Sequence, residues 1–332
     1  MKAILMTEPG QVDVLSFEDI LEPGIERPTQ IKVRLHAAGI NPIDTKLRSR
    51  GVFFPDALPA VLGCDGAGEV VEVGAQVTDF APGDAVWFCH GGLGREPGNY
   101  AEYTVIEASE AARKPESLSF EEAAAAPLVL LTAWEALHDR AHLQAGQDVL
   151  IHAGAGGVGH VAIQLAALVG ARVLTTVGDA EKAEFVLNHG ASHAIPYHEE
   201  DFVEAVNAIT HGKGADVVLD TVGGETFRHS IDATAHYGDL VTLLEPEDDV
   251  IWKEARTRNL RIGFELMLTP MLRDLPQARA HQVEILEQCG RLFDEGQLRV
   301  HVAETLPLAE AARGHALVEE GHTLGKLVLV MG

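Results

Sequence analysis

Short apolar runs alternate with helical patterns through the middle of the chain. Between about residues 121 and 265, runs rich in β-branched residues are separated by segments whose apolar positions recur every three to four residues. The runs predict six strands, at 149–152, 172–177, 193–196, 216–220, 240–244 and 260–264. Strands that alternate with helices in this way form a parallel sheet covered on both faces. The pattern therefore predicts an α/β domain with a doubly wound parallel sheet over residues 121–265.

The flanking segments carry a different pattern. Residues 1–120 contain short alternating stretches, among them IKVRLHAAG, GAGEVVEVG and YAEYTVI, which are set off by Gly and Pro. Such sequence is typical of a β-barrel-like domain. Residues 266–332 contain a helical stretch flanked by short strand-like pieces, and we expect this tail to rejoin the first domain. The predicted organisation is one β-rich domain, built from 1–120 and 266–332, with the α/β domain inserted between its two segments.

A glycine-rich turn directly follows the first predicted strand of the α/β domain and directly precedes a helical pattern. It consists of Gly154, Ala155, Gly156, Gly157, Val158 and Gly159. In this context GxGxxG is the dinucleotide fingerprint, because glycines allow a tight turn and a close approach of the backbone to a pyrophosphate. The N-terminus of the following helix adds free N–H groups and a favourable dipole. We therefore expect these six residues to bind a dinucleotide cofactor.

The end of the second predicted strand indicates which nucleotide is bound. NAD-binding proteins place an Asp or Glu there, about 20 residues after the glycines, to hold the ribose 2′-hydroxyl. Here Val177 and Gly178 leave room for a 2′-phosphate, and Lys182 follows at a distance that can bring its ammonium to it. Asp179 opposes this interpretation, because its carboxylate repels a phosphate unless it turns away. The pattern favours NADPH and leaves NADH possible.

Composition narrows the choice of partner. Fifty acidic residues against 25 basic ones give a net charge of −25, which repels nucleic acids and anionic membrane surfaces. The three cysteines, Cys64, Cys89 and Cys289, form neither a disulfide framework nor a CxxC metal motif. We see no apolar run long enough to cross a membrane and no signal-peptide pattern. We therefore expect a cytoplasmic protein that acts on a small molecule, with neither nucleic acid nor membrane as a partner.

Several motifs, taken in order, resemble the medium-chain dehydrogenase/reductase superfamily. They are HAAGINPIDTKLRSRG, LPAVLGCDGAGEVVEVGAQVTDFAPGDAVW, LTAWEAL and the GAGGVG turn. Within the superfamily the chain most resembles the zinc-independent quinone oxidoreductases, the zeta-crystallin-like family. The resemblance covers essentially the whole chain. It implies a GroES-like substrate domain from 1–120 and 266–332, a Rossmann domain from 121–265, and a homo-oligomer, with a dimer as the expected form.

The resemblance also indicates whether the chain has the ligands for a catalytic zinc ion. Zinc-dependent relatives hold their catalytic metal with a Cys, a His and a second Cys, and the matching positions here look like Asn41, Cys64 and roughly Leu128. These residues cannot form a three-ligand zinc site. The four-cysteine structural lobe of those relatives is missing too, since residues 88–100 contain only Cys89. We therefore expect no bound metal.

Loss of the metal restricts the chemistry. Reduction of an aldehyde leaves an alkoxide with a pKa of about 16, which needs a Lewis acid or a strong proton donor. Reduction of a quinone leaves a phenolate-like oxygen with a pKa of about 10, and reduction of an enone leaves a delocalised enolate. We therefore expect an NADPH-dependent quinone reductase. Two alternatives stay open: reduction of an activated C=C bond in an alkenal, enone or enoyl thioester, and a nucleotide-binding structural or regulatory protein.

The resemblance implies two catalytic candidates. Asn41 matches a polar residue near the nicotinamide, and its amide is a candidate donor to the substrate oxygen; an ordinary Asn-Pro turn is the alternative. Several quinone reductases carry aromatic hydroxyls after this motif, whereas this chain has Lys46 and then Phe53-Phe54. Lys46 is a candidate proton donor or electrostatic clamp, with an ordinary surface lysine as the alternative.

Three further residues complete the expected cofactor site. Thr132, in LTAW, matches a family threonine near the nicotinamide. Tyr197, after the third predicted strand, matches a residue that helps to hold the 2′-phosphate in relatives, and a strand-end core tyrosine is the alternative. We also expect Asp220, at the end of the fourth predicted strand, to contact the cofactor.

Overall fold

The computed structural model describes residues 1–248 and 250–332, and these residues fold as two compact units. We call residues 1–128 and 268–332 the β-rich unit, and residues 129–267 the α/β unit. None of the helices in these described stretches has the length and apolar composition that a bilayer crossing requires.

The strands occur in both units. In chain order they are β1 (Lys2–Met6), β2 (Leu15–Asp19), β3 (Gln30–Ile40), β4 (Ala60–Val61), β5 (Asp65–Val73), β6 (Ala85–Cys89), β7 (Tyr103–Glu107), β8 (Ala112–Arg113), β9 (Asp148–Ile151), β10 (Arg172–Val177), β11 (His193–Pro196), β12 (Ala215–Asp220), β13 (Thr234–Thr242), β14 (Arg261–Phe264), β15 (Val302–Pro307) and β16 (Lys326–Val330).

The α-helices follow the same order. They are α1 (Pro42–Arg50), α2 (Phe120–Ala125), α3 (Pro127–Trp134), α4 (Gly157–Val169), α5 (Ala180–Asn188), α6 (Phe202–Ile209), α7 (Gly224–Ala233), α8 (Trp252–Thr257), α9 (Thr269–Leu272), α10 (Pro276–Asp294) and α11 (Ala311–Glu320).

The β-rich unit is built around a seven-stranded sheet in the order β15-β16-β3-β5-β6-β8, with β7 also paired to β3. A smaller three-stranded sheet has the order β2-β1-β4. Strand β3 alternates inward and outward residues because one face of the sheet covers an apolar core, and that core contains Ile31, Val33, Leu35, Val70, Val86 and Phe88. The C-terminal segment joins this sheet through the antiparallel pairing of β16 with β3. The expected β-rich, GroES-like class is confirmed.

The α/β unit contains a six-stranded sheet in the order β11-β10-β9-β12-β13-β14, and every pairing in it is parallel. The chain starts in the middle at β9, adds β10 and β11 on one side, and then returns to add β12 on the other. Ligands of such sheets bind beyond the carboxyl ends of the strands where this order reverses. The predicted doubly wound sheet is confirmed, and its reversal point is the end of β9.

The fifth predicted strand, 240–244, begins and ends later than the strand in the structure. Strand β13 runs from Thr234 to Thr242, and its first half is polar, so it lacks the apolar run on which the prediction depends. Its end is set by Thr242, whose hydroxyl accepts the backbone N–H of Leu244 at 3.1 Å and so turns the chain out of the sheet. The predicted strands at 172–177 and 193–196, in contrast, have the bounds of β10 and β11.

The division between the units lies at 128/129 and 267/268, whereas the sequence pattern predicts it at 120/121 and 265/266. The physical reason at the first boundary is helix α2, which packs against β3 and β5. Ser119 and Glu122 cap this helix reciprocally, since each side chain accepts the other residue's backbone N–H, at 3.2 and 2.9 Å.

Candidate active site

The glycine turn lies between the end of β9 and the start of α4. Gly156 is the N-cap residue of α4 and offers no side chain to cap it. The first N–H groups of any α-helix lack acceptors within the helix, and the helix dipole places partial positive charge beside them. The turn therefore presents an uncapped helix N-terminus at the reversal point of the sheet, which suits a pyrophosphate.

The glycines of this turn serve close packing rather than unusual backbone angles. A methyl group on Gly154 would overlap the Thr175 hydroxyl, and one on Gly159 would overlap the Ala153 carbonyl oxygen. A methyl group on Gly156 would make one tight contact, 3.3 Å from that same carbonyl oxygen, and the space in front of Gly156 is otherwise open. The left-handed backbone is found at Ala153, directly before the turn, with φ of 50°.

His152 supports the turn, although no local sequence pattern singles it out. Its Nδ1 lies 3.2 Å from the Thr176 hydroxyl, which also accepts the Ala153 N–H at 3.0 Å. Its Nε2 lies 2.9 Å from the Ser230 hydroxyl. Burial lowers the pKa of His152 to about 4, so the ring is neutral at neutral pH. A neutral, doubly hydrogen-bonded ring thus fixes the backbone that leads into the glycines.

Gly178 and Tyr197 lie side by side beyond β10. A methyl group on Gly178 would lie 3.1 Å from the Tyr197 hydroxyl oxygen, and the Tyr197 N–H donates to the Val177 carbonyl at 3.2 Å. The Tyr197 side chain is half exposed, which contradicts the alternative of a core tyrosine. The structure thus brings together two separately predicted residues, and it leaves a space edged by a phenol hydroxyl where NAD-binding proteins hold a carboxylate.

Asp179 turns toward its own helix. It is the N-cap of α5, and its Oδ1 accepts the Lys182 N–H at 2.8 Å. The Lys182 Nζ lies 3.5 Å from its Oδ2. The backbone hydrogen bond from Lys182 lowers the pKa of Asp179, so the carboxylate stays ionised. The charge that opposes a 2′-phosphate is therefore engaged by the same lysine that is expected to bind one.

Asp220 is part of the framework of the α/β unit. Its Oδ1 accepts the N–H groups of Val222 and Gly223 at 3.0 and 2.9 Å, and its Oδ2 accepts the Thr242 hydroxyl at 2.9 Å. It is completely buried. These bonds place Asp220 in the turn after β12, and its expected contact with the cofactor stays a prediction. Thr132 is buried in α3.

The β-rich unit places Asn41 in a buried polar cluster. The Asn41 Nδ2 donates to Asp65 Oδ2 at 2.9 Å, and the Lys326 ammonium donates to Asn41 Oδ1 and, at 2.8 Å, to the Ile40 carbonyl. Asp65 Oδ1 accepts the Leu128 N–H at 2.9 Å. Asn41, Lys326 and Asp65 are each less than a twentieth exposed. Two of the positions that match zinc ligands, Asn41 and Leu128, thus meet at Asp65.

The cation in this cluster is an ammonium group. Lys326 lies close enough to Asp65 for its charge to oppose the effect of burial, which raises the pKa of that carboxyl to about 6. Burial likewise lowers the pKa of Lys326. Within residues 1–248 and 250–332, no group of three or more His, Cys, Asp or Glu side chains is arranged to hold a metal ion.

Asp44 extends the cluster toward α11. Its Oδ2 accepts the Asn41 backbone N–H at 2.8 Å and the Tyr100 hydroxyl at 3.0 Å, and the His315 Nε2 lies 3.3 Å from that hydroxyl. Asp44 is completely buried, and burial raises its pKa to about 7. Asp44 therefore fixes the start of α1 and titrates near neutral pH.

Lys46 lies further along α1 and outside this cluster. It is half-buried, and among the described residues it has neither a hydrogen-bond acceptor nor an ion-pair partner. Burial, and secondly the charge of Arg50, lower the pKa of Lys46. The two catalytic candidates thus lie at one helix but differ in kind: both amide atoms of Asn41 are engaged, whereas the ammonium of Lys46 is available.

Comparison with known proteins agrees with this architecture. Residues 27–116 match the family model described as alcohol dehydrogenase GroES-like domain, and residues 189–329 match the one described as zinc-binding dehydrogenase. The chain is 34% identical to a quinone oxidoreductase of Pseudomonas aeruginosa over 99% of both chains, and 34% identical to a 2-haloacrylate reductase of a Burkholderia species over 99% of this chain and 98% of that one. The crystal structure of the Escherichia coli quinone oxidoreductase complexed with NADPH superposes with a TM-score of 0.88 at 33% identity, over 99% of this chain and 100% of that one.

The fold, the glycine turn and these matches define an oxidoreductase of the medium-chain dehydrogenase/reductase superfamily. Within it, the chain belongs to the quinone oxidoreductase family. Membership in a family of enzymes overrides the alternative that the chain is only a structural or regulatory protein.

We predict opposite outcomes for two glycines of the turn. Gly156→Val places a branched side chain in the open space before α4, so NADPH affinity should fall about tenfold or more while the melting temperature changes little. Gly159→Ala should instead lower the melting temperature, because its methyl group overlaps the Ala153 carbonyl. Fluorescence titration and thermal unfolding measure both. Unchanged NADPH affinity in Gly156→Val contradicts the assignment of the turn.

We predict a pH-dependent effect at Asp44. Its folded-state pKa of about 7 lies above the ordinary 3.8, so between these values the unfolded chain ionises while the folded chain keeps the proton. Stability from this group is therefore present at low pH and is lost as the pH rises toward 7, by about 1.4 kcal/mol per pH unit. Asp44→Asn lacks this titration, so from pH 5 to pH 8 its stability relative to wild type should rise by about 2 to 3 kcal/mol. Urea unfolding at the two pH values measures the difference, and a constant difference contradicts the prediction.

Proposed function

We propose that the protein is an NADPH-dependent quinone reductase that works without a metal ion. The observation that carries the cofactor assignment is the uncapped N-terminus of α4, together with the space at Gly178 edged by Tyr197. Relatives named as quinone oxidoreductases supply the substrate class, and the neighbouring structure complexed with NADPH supports the cofactor.

The residues of the α/β unit fit this cofactor. The N–H groups at the start of α4 would bind the pyrophosphate, and the open space in front of Gly156 would admit it. Lys182 and the Tyr197 hydroxyl would bind the 2′-phosphate. When bound, the reduced nicotinamide supplies two electrons and a hydrogen to the acceptor. Thr132 stays a proposed nicotinamide contact.

In the β-rich unit we assign to Lys46 the role of donating a proton to the product oxygen. The product oxygen of quinone reduction is phenolate-like, with a pKa of about 10, and an ammonium whose pKa has been lowered from 10.5 can protonate it without a metal. Asn41 contributes differently: Asp65 and Lys326 hold both ends of its amide, so it fixes the start of α1, and any donation to substrate must use its second N–H.

Reduction of an activated carbon–carbon double bond is the second candidate. The similar 2-haloacrylate reductase is named for an acceptor of this kind. The structural observation that favours it is Lys46, because the anion that forms when such a bond is reduced gains from a nearby ammonium.

The leading proposal is tested by NADPH oxidation with 1,4-benzoquinone, an enone and an aldehyde, each with and without a strong chelator. We expect quinone turnover that the chelator does not change, and no turnover of the aldehyde. Tightly held zinc in elemental analysis, with loss of activity on its removal and recovery on its return, would show that the metal-free proposal is wrong.

Preference for NADPH is tested at Lys182 and Asp179. Lys182→Ala removes the ammonium that would bind the 2′-phosphate, so NADPH affinity should fall about tenfold while NADH affinity is kept. Asp179→Asn should raise NADPH affinity, since it removes the carboxylate that now engages Lys182. Titration of both cofactors against the wild type and the two variants measures this. If Lys182→Ala weakens both cofactors equally, the assignment fails.

The remaining expectations are also proposals. A cytoplasmic location is supported by three cysteines that are all free thiols. A homodimer is supported by strand β14 at one edge of the parallel sheet, with the exposed Phe264 at its end. The molar mass in solution tests the second.

A further inference from the structure

A cavity of about 710 Å³ lies within the β-rich unit. Among the residues that the structure describes, those that line it all fall between Met1 and Glu107, and they include Ile20, Gln30, Val61, Pro97, Thr104 and Val105. Neither Asn41 nor Lys46 lines it. Pockets of roughly 300 to 1,000 Å³ bind small organic molecules in proteins. We call this space the edge cavity, because one of its walls is the edge of strand β7.

The edge of β7 offers backbone groups to the cavity. The Leu35 N–H donates to the Glu102 carbonyl at 2.8 Å, and bonded and unbonded pairs alternate along an antiparallel ladder. Val105, three positions after Glu102, lies opposite Lys32 in an unbonded pair, so its N–H and C=O point away from β3. Neither group has a hydrogen-bond partner among the described residues. The edge therefore presents a donor and an acceptor side by side.

Two buried side chains add polar atoms to the same cavity. Gln30 is 6% exposed, and its Oε1 accepts the N–H groups of Glu26 and Arg27 at 3.0 and 2.9 Å. Its Nε2 has no acceptor among the described residues. Thr104 is 3% exposed, and its hydroxyl has no hydrogen-bond partner within the same part of the chain. Polar atoms of buried side chains are normally paired, so these two indicate a place for a ligand's acceptors.

The charges around the cavity favour an uncharged ligand. Arg27 pairs with Glu107 at 2.6 Å, and Arg95 pairs with Asp274 at 2.8 Å. The remaining acids of the lining, Glu26 and Glu96, are exposed. The cations are thus engaged, the exposed acids repel an anion, and solvent screens their attraction for a cation.

We propose that the edge cavity binds a flat, uncharged molecule with a lactam-type group, in which an N–H and a C=O lie side by side. The Val105 carbonyl accepts the N–H of the ligand, and the Val105 N–H donates to its carbonyl. Gln30 and Thr104 donate to further acceptors, and the apolar ring packs between Ile20 and Val61. The inference does not depend on the proposed function, because it involves neither the cofactor nor electron transfer.

The lactam is the chemical feature to test first. We expect ligand-observed NMR titration, without NADPH, to show that wild type binds 2-quinolone. Coumarin has the same shape with a ring oxygen in place of the N–H, and N-methyl-2-quinolone blocks that N–H. Each should bind about three- to tenfold more weakly, because one hydrogen bond is lost. Equal affinities for the three probes, or no binding of any of them, overturn the inference; the second result means that water alone occupies the cavity.

Backbone variants test the edge of β7. Val105→Pro removes the N–H and leaves the ladder with β3 intact, since proline is tolerated on an edge strand where the N–H is not paired. It should weaken 2-quinolone binding about tenfold and leave coumarin less affected. Val105→Ala keeps both backbone groups and is the matched control, with a change of less than about twofold. If Val105→Pro leaves the affinity for 2-quinolone unchanged, the assigned contact is wrong.

A filling variant tests the location without any change in the strand. Gly24 lines the cavity, and a Cβ on it meets open space, so Gly24→Trp places an indole there at little cost in stability. We expect loss of 2-quinolone binding with an unchanged melting temperature. Gly332→Trp is the matched control, because a Cβ on Gly332 also meets open space and Gly332 does not line the cavity. Binding that survives Gly24→Trp, or that Gly332→Trp weakens equally, overturns the inference.

Discussion

The buried ammonium of Lys326 is the interaction on which the β-rich unit depends. It begins β16, the strand that returns the C-terminal segment to the main sheet, and it bonds to Ile40 and Asn41 at the end of β3. A buried charge is tolerated only where partners compensate it, and Asp65 supplies the compensating carboxylate across Asn41. One cation thus ties together the two chain segments that make the unit and the start of α1, and removal of any member would leave an uncompensated buried group.

The same cluster engages the side chain of Asn41 but not that of Lys46, further along α1. Because Lys326 and Asp65 hold the Asn41 amide, and Asp44 holds its backbone N–H, the first turn of α1 is rigid. A rigid first turn fixes the direction of the next one, from which Lys46 projects. Asn41, whose amide atoms are engaged, therefore supports the start of α1. Lys46, which has no ion-pair partner among the described residues, stays the candidate for proton transfer.

The glycine turn of the α/β unit and the buried cluster of the β-rich unit differ in how far sequence alone predicts them. The turn after β9 is built from consecutive residues, so GAGGVG in its strand–helix context is sufficient to predict a glycine turn that joins β9 to α4. Gly178 and Lys182 are likewise predicted from their distance to the turn, and their contacts with the cofactor stay predictions. The sequence alone does not predict the residues that support the turn. His152 contacts Ser230, 78 residues away, and no local pattern indicates such a pair.

The buried cluster is harder to predict for the same physical reason. Lys326 and Asn41 are 285 residues apart, and a lysine in a strand-like tail is expected to be solvent-exposed until the pairing of β16 with β3 buries it. Asp220 shows the same dependence on remote residues, since its Oδ2 accepts the hydroxyl of Thr242, 22 residues away, while its Oδ1 accepts N–H groups of the turn after β12. Backbone geometry can be predicted from residues that are neighbours in the sequence. Whether a charged side chain is buried or paired depends on segments that are remote in the sequence. Lys46 shows the same limit, because the sequence alone does not indicate that its ammonium has no ion-pair partner among the described residues.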